Sequence, residues 1–337
     1  MIMPDIRINR ISVSVAGLGV LTLMLFLCDI GSGAVAIPVG EVWKAMTGGA
    51  CDESVRAIIL DIRLVKALVA LMAGAALSVS GLQMQTLFRN PLAGPYVLGI
   101  SSGASLGVAL FVLGAPLVGL AGRWMWLGSA GAAWLGSVTV LVLVSVISAR
   151  LKDIMVVLIL GMMFSSGIGA IVQILQFLSR EDALKSYVLW TMGSLSTVTS
   201  AQLAILVPAI AAGLVLALLT VKPLNMLLFG EEYALTMGLN LRSARGLLFT
   251  STTLLAGTVT AFCGPIGFIG LAMPHVARMI TDTADHRVLV PASMFCGAAS
   301  VLLCDILASS FTLPVNAVTA LLGIPVVIYV LFKAAKG

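Results

Sequence analysis

Long uncharged stretches decide what the chain can become. No Asp, Glu, Lys or Arg interrupts Ile154 to Leu178 or Ala201 to Val221, and each run matches the roughly 20 apolar residues a helix needs to cross a bilayer. Similar runs recur from end to end. With 60% of residues apolar and only 10% charged, the chain sits far from soluble domains, where charged residues reach about 25%. It reads as an all-α polytopic membrane protein, a single domain over residues 1–337. An aromatic share of 6% beside 34 glycines favours helices packed through small side chains over a strand barrel with aromatic girdles. The net charge of +5 comes from 19 basic and 14 acidic residues scattered along the chain. That spread argues against nucleic-acid binding and suits loops lying beside anionic lipid.

Counting the runs between charged or Pro/Gly breaks gives about ten spans. They are Ile11 to Leu27, Leu64 to Leu87, Tyr96 to Leu113, Trp124 to Ser148, Ile154 to Leu178, Ala201 to Val221, Leu247 to Cys263, Ile266 to Ile280, Val288 to Phe311 and Val318 to Phe332. Ala34-Val35-Ala36 mimics a signal-peptidase site, but Ile11 to Leu27 exceeds a typical signal core and is read as a retained helix. A polar stretch from Asp29 to Arg56 follows it, with an amphipathic turn around Val39 to Met46. With both termini in the cytosol, twelve of the 19 basic residues fall inside, among them Arg7, Arg10, Arg89, Arg150, Lys152, Arg245, Lys333 and Lys336. This agrees with the positive-inside rule. Arg56, Arg63 and Lys66 are the exception, clustering on the outer side.

Two late spans are short, separated by Gly264, Pro265 and Gly267, and Pro274 interrupts the second. Irregular backbone at membrane depth is tolerated only against protein or water, so such breaks mark a substrate path or a simple re-entrant bend. A comparable break at Asn90-Pro91-Leu92-Ala93-Gly94-Pro95 hints at two inverted halves, spans two to five and seven to ten.

The catalytic repertoire is thin. There are two histidines, His275 and His286, and no His-Glu-x-x-His pair to hold a metal. No lysine follows a glycine, so there is no phosphate-binding loop, and any ATP must bind to another polypeptide. No catalytic residue, metal ligand or cofactor is assigned to this chain, and a membrane-embedded enzyme lacks a credible set of catalytic acids, bases or metal ligands. The five cysteines show no Cys-x-x-Cys spacing, and a Cys28–Cys51 disulfide is left open. Gly99, Gly103 and Gly107 share one helical face and read as a close-packing stripe. Asp305 lies inside an apolar run, where a bare carboxylate costs ~2.5 to 3.5 kcal/mol on insertion scales. It is either a hydrogen-bonded structural acid or the titrating group of a proton-coupled secondary transporter. The sequence reveals no intramembrane basic partner for it, and the structural reading is preferred. Gln173 and Gln176 could touch cargo along a pathway or bond between helices.

The interval 222–241, on the cytosolic side, reads as two short helices. Gly230 permits the break, Glu231 and Glu232 fall in the first turn of the second helix, and Gly238 suits the left-handed position after it. A tether would be polar and rich in Gly and Ser; this pair, with Leu224, Leu228 and Met237 expected to be exposed, looks like a docking element or a membrane-surface helix.

Several motifs resemble the FecCD-type permeases of bacterial type II ABC importers, which carry iron-siderophores, haem and cobalamin. They include Gln85-Thr86-Leu87-Phe88-Arg89-Asn90-Pro91-Leu92-Ala93, Leu98-Gly99-Ile100-Ser101-Ser102-Gly103-Ala104, and Gly264-Pro265-Ile266-Gly267-Phe268-Ile269-Gly270-Leu271-Ala272-Met273-Pro274-His275. The resemblance covers almost the whole chain. It implies a cobalamin-permease-like fold with ten spans in the bacterial inner membrane, a homodimer with a second copy, and two separate ATPase subunits that bind ATP and Mg. It also implies a substrate-binding protein outside and an iron chelate as cargo. Leu224, Asn225, Leu228, Gly230, Glu231, Ala234, Met237 and Gly238 would then couple to the ATPase. Asn90, Leu92, Ile154 and Met155 map to the cytosolic gate. Ile62-Arg63-Leu64-Val65-Lys66 occupies the place of the family's Arg-Leu-Pro-Arg, making Arg63 and Lys66 the cations that dock the binding protein. The chain departs from the pattern at Val65 and Lys66, and at Ser309, where relatives often carry arginine.

Overall fold

The computed structural model describes residues 4–33, 37–115, 128–148, 150–151 and 153–336. Among the described residues there is no strand. The helices are α1 (Pro4–Gly31), α2 (Val39–Thr47), α3 (Glu53–Ala57), α4 (Leu64–Leu87), α5 (Ile100–Ala109), α6 (Gly128–Ser148), α7 (Ile154–Leu178) and α8 (Glu181–Thr191). They continue as α9 (Ser200–Leu219), α10 (Val221–Leu227), α11 (Glu231–Thr236), α12 (Leu241–Thr252), α13 (Thr258–Cys263), α14 (Ile269–Thr281), α15 (His286–Phe311) and α16 (Val315–Lys336). One π-helical segment, Ile58–Arg63, leads into α4, and another, Thr253–Gly257, joins α12 to α13.

Most of the described residues of the expected spans are helical, and the bounds of α4 and α7 are those counted from the letters. Residues 266–268 lie before α14 outside helix, and Gly99 breaks the span from Tyr96. The start of α7 has a local cause, since Asp153 accepts a hydrogen bond from the backbone of Met155 and caps the helix. Six helical stretches among the described residues are long and apolar enough to cross a membrane, against about ten counted from sequence. Ile100–Gly114 and Val315–Val330 are shorter apolar helices. The expected start of the fourth span at Trp124, the Ala34-Val35-Ala36 site and Lys152 lie outside the described residues, as do the side chains of Arg7, Arg10, Lys333 and Lys336. The helix α8 was not expected; it mixes polar and apolar residues without a long apolar run.

The chain forms two compact units, each discontinuous in sequence. The first holds the described residues up to Val79, Ser194–Pro208 and Gly267 onward; the second holds Ser80–Gly193 and Ala209–Ile266. Both units therefore cut across the two sequence halves that the Pro/Gly breaks suggested.

In the first unit α1 and α14 pack on α15. Ile30, Val42, Ala45, Ile59 and Ala67 bury a small core where α1, α2 and the approach to α4 meet. The amphipathic reading of 39–46 holds, because Val42 and Ala45 face this core while Val39 and Trp43 stay exposed. In the second unit the expected glycine stripe makes the closest helix contact. A Cβ at Gly103 would lie 2.6 Å from the Gly136 carbonyl oxygen, and one at Gly136 or Gly107 would collide with the carbonyl of Gly103 or Ala132. Small residues let α5 and α6 approach backbone to backbone. Cys28 and Cys51 are both free thiols, so the disulfide left open by the sequence is not formed.

Candidate functional site

The second unit holds the segment that the sequence singled out. Thr220 ends α9 with its hydroxyl donating to the Ala217 carbonyl at 2.6 Å, and α10 begins at once. Gly230 follows α10 with φ 104° and ψ 158°, a conformation essentially closed to residues with a side chain. Glu231 and Glu232 then occupy the first turn of α11, where the helix dipole favours anions. Gly238, at φ 84°, closes it, with Gly238 N–H donating to Leu235 and Leu239 N–H to Ala234. That is the paired bonding of a Schellman end.

The helix pair has two faces. Leu224, Leu227 and Ala234 are buried in a core with Met84, Phe88 and Phe249. The expectation that Leu224 is exposed is corrected: α10 spans only seven residues, too short for its phase to be read from the letters. The outward face carries Leu228, Phe229, Tyr233, Leu235 and Met237, and the rings of Phe229 and Tyr233 lie 5.9 Å apart. Of these, Phe229, Tyr233 and Leu235 were not singled out by sequence.

Glu231 does not point outward. Both its carboxylate oxygens accept from Arg245 Nη2 at 2.8 Å, and Arg245 Nε reaches Oε1 at 3.2 Å. Arg245 is buried and also donates to the Leu151 carbonyl at 3.1 Å. The fork geometry fixes α11 to α12 and to the chain just before α7.

Two clefts flank this acid pair. One, of ≈ 680 Å³, is lined by Leu87, Phe88, Arg89, Ile154 and Met155 on one side and by Phe229 to Tyr233 and Thr236 on the other. The structure thus brings the expected gate residues Ile154 and Met155 against the expected coupling residues Gly230 and Glu231. The other, ≈ 700 Å³, lies between Ser148, Asp153, Glu232, Leu235, Arg242 and Phe249. Asn90 and Leu92 line neither of these clefts. They form a turn directly after Arg89, in which the Asn90 carboxamide accepts from Leu92 N–H at 2.9 Å.

Beneath the helix pair lies a polar network that sequence reading missed. Gln83 Nε2 donates to Thr220 Oγ1 at 3.1 Å and to Ser251 Oγ at 3.0 Å, and Thr252 Oγ1 donates to Gln83 Oε1 at 3.1 Å. All four residues are buried. Ser251 Oγ in turn donates to the Gly213 carbonyl at 2.9 Å. Gln83 thus ties the junction of α9 and α10 to α12, one residue before the π-helical segment Thr253–Gly257.

In the first unit, Arg63 and Lys66 differ from the exposed docking cations expected. Both are buried. Arg63 Nη1 donates to the Ile30 and Gly31 carbonyls at 3.3 and 3.0 Å. Lys66 Nζ lies 2.7 Å from Asp305 Oδ2, 2.7 Å from Ser309 Oγ and 4.0 Å from the fully buried Asp29 Oδ1. Asp305 therefore has the basic partner that the sequence did not reveal. Arg56, the third member of the outer basic cluster, is exposed. His275 sits within 3.5 Å of Arg278, and Gln173 is exposed on the face of α7 that Met163 and Phe177 share.

Residues 21–333 match the model of the FecCD transport family. The chain belongs to that family. The hemin transport system permease protein HmuU of Yersinia pestis is 35% identical over 94% of this FecCD chain and 95% of its own length. The vitamin B12 import system permease protein BtuC of Klebsiella pneumoniae is 36% identical over 94% and 93%. A solved metal-chelate type ABC transporter in an inward-facing conformation superimposes with a TM-score of 0.83 at 29% identity, covering 95% of this FecCD chain and 98% of its counterpart.

Proposed function

We propose that this chain is the transmembrane permease subunit of an ATP-driven importer in the bacterial inner membrane, moving an iron chelate, either a ferric siderophore or haem, with cobalamin as the neighbouring cargo class. One observation carries the reading. The helix pair α10–α11 buries one face in the bundle and offers the other, with Phe229, Tyr233, Leu235 and Met237, outside it. With no phosphate loop in this chain, an ATP-driven cycle would take its force from another subunit, and this is the surface that would receive it.

Two ATPase subunits holding ATP and Mg would seat on that surface, and closure of the pair of them would move α10 and α11 against Ile154 and Met155. Leu228, Met237 and their neighbours make the contact, while Leu224, Ala234 and Glu231 hold the element to the spans. Ten spans with both termini in the cytosol and a second permease copy complete the unit. On the outer side the binding protein would meet exposed Arg56, with buried Arg63 and Lys66 bracing the helix that presents it. Gln173 and Gln176 stand as pathway residues. The hemin and vitamin B12 transport for which these relatives are named supports a large chelated cargo.

Co-purification of the permease with its ATPase tests the reading. Met237→Asp and Leu235→Asp should abolish the complex while leaving the permease folded. Uptake driven by a pH gradient in vesicles free of any ATPase would overturn it. Growth under iron limitation of a strain lacking the chain, supplied with one chelate at a time, identifies the cargo.

A further inference from the structure

Between the first two expected spans stands a helix that the importer reading does not use. Pro38 precedes α2, and Gly48, at φ 80°, ends it, with Gly49 N–H donating to the Lys44 carbonyl at 2.8 Å. Its nine residues thus form a bounded rod. At about 3.6 residues per turn, the circumference of that rod divides into three arcs. Val42 and Ala45 make the first and are buried with Ile30, Ile59 and Ala67. Val39, Trp43 and Met46 share the next, which is apolar yet open: Val39 is 81% exposed and Trp43 68%. Glu41 and Lys44 occupy the far side, where their 2.8 Å ion pair sits at the surface. A helix that had only to cover the bundle would be apolar on the covering arc and polar beyond it.

Depth identifies what faces the open arc. α1 keeps Val20, Met24 and Leu27 exposed on one face, so this chain leaves it open to the bilayer to within about a turn of its end. α2 packs on α1 around Ile30. Ile30 lies beyond Leu27 by about 4.5 Å along the helix axis, at about 1.5 Å of rise per residue. The headgroup layer on either side of a bilayer is roughly 5–7 Å thick. α2 therefore lies within that layer, where tryptophan is favoured because its ring is apolar and its N–H polar.

We propose that α2 is an interfacial anchor that seats Val39, Trp43 and Met46 in the outer-leaflet headgroup layer, with phospholipid as the occupant of the stripe. The inference depends on α1 crossing the bilayer and not on what the chain transports. Glu41 and Lys44, on the opposite arc, then face water, as the polar side of an in-plane helix must.

The test uses the full permease in phosphatidylcholine–phosphatidylglycerol nanodiscs, with Cys28→Ser and Cys51→Ser leaving only buried cysteines. A nitroxide is attached in turn at Val39→Cys, Trp43→Cys, Met46→Cys and Lys44→Cys. Its relaxation is read with oxygen, which concentrates in lipid, and with a nickel chelate, which stays in water. Labels at Val39, Trp43 and Met46 should respond to oxygen over the chelate and report a depth of about 5–10 Å into the headgroup–acyl boundary. The label at Lys44 should respond to the chelate instead. Labels at Val39 and Met46 leave Trp43 in place, so the outcome does not hang on replacing the tryptophan. A stronger response to the chelate at Val39 and Trp43 would put the stripe in water and overturn the proposal. Screening from both reagents, or dipolar broadening between labels on two copies, would put a protein face there and overturn it as well.

Discussion

The carboxylate of Glu231 is held by the guanidinium of Arg245 through both oxygens at 2.8 Å, with the Arg245 side chain almost wholly buried. An acid in the middle of a docking element thus faces inward, where it fixes how the element sits on its spans. Breaking a buried pair on one side leaves a charge without compensation, which costs more than the pair contributes.

Glu231→Gln should therefore lower permease stability by about 2 kcal/mol, the cost of charged hydrogen bonds lost at a partly buried site. Thermal unfolding of the detergent-purified protein reads this directly. The double variant Glu231→Leu with Arg245→Met should recover part of the loss, whereas an additive double loss would show that the two residues act separately.

Lys66→Met should be more damaging, because it leaves Asp29 and Asp305 buried together with no ammonium between them. A fall in folded yield of about tenfold is expected, since 1.4 kcal/mol already shifts an equilibrium by that factor. Adding Asp305→Leu should restore much of the yield in a size-exclusion profile. Unchanged yield in the single variant would return Lys66 to the surface role that its motif position implied.

Gln83→Leu removes the amide shared by Thr220, Ser251 and Thr252. Thr220 and Ser251 keep their bonds to the Ala217 and Gly213 carbonyls, but the Thr252 hydroxyl loses its acceptor, and an orphaned hydroxyl in a dry site costs about 1–3 kcal/mol. The expected outcome is a lowered melting temperature together with faster proteolysis between Thr220 and Leu241, since the network holds the base of the helix pair. Lowered melting without altered proteolysis would confine Gln83 to general packing.

Gly136→Val places side-chain atoms where the Gly103 carbonyl lies. Overpacking of this kind costs about 1–3 kcal/mol, and more where backbone must move. Expression of Gly136→Val should drop sharply while Gly167→Ala, which has open space around it, should match the native level. Equal yields of the two would mean that α5 and α6 are less tightly apposed than described.

Helices were legible in the letters because a span sums over some twenty residues, so that single exceptions such as Lys66 in α4 do not erase the signal. The break at Gly230 and the stop at Gly238 were legible for another reason, as each depends on a conformation that few residues other than glycine adopt. What escaped was everything set by register between distant segments. Lys66 meets Asp305, and Gln83 meets Ser251, only because helices far apart in sequence come side by side. The inward turn of Leu224 escaped because a helix of only seven residues carries little phase. A motif position likewise announces chemistry without direction. Arg63 and Lys66 stand where cations are expected, yet their charges are spent on Ile30, Gly31 and Asp305.

The hydroxyl of Ser309 completes the shell of an ammonium that already faces two acids. Positions 66, 305 and 309 thus act as one set in this chain: a planar guanidinium at 66 would crowd a pocket fitted to a point charge, and an arginine at 309 would add a second cation to a space that holds one. Anyone grafting the outer end of a relative onto this permease should move the three together, because a hybrid that exchanges only one of them inherits a quarrel between charges that neither parent had.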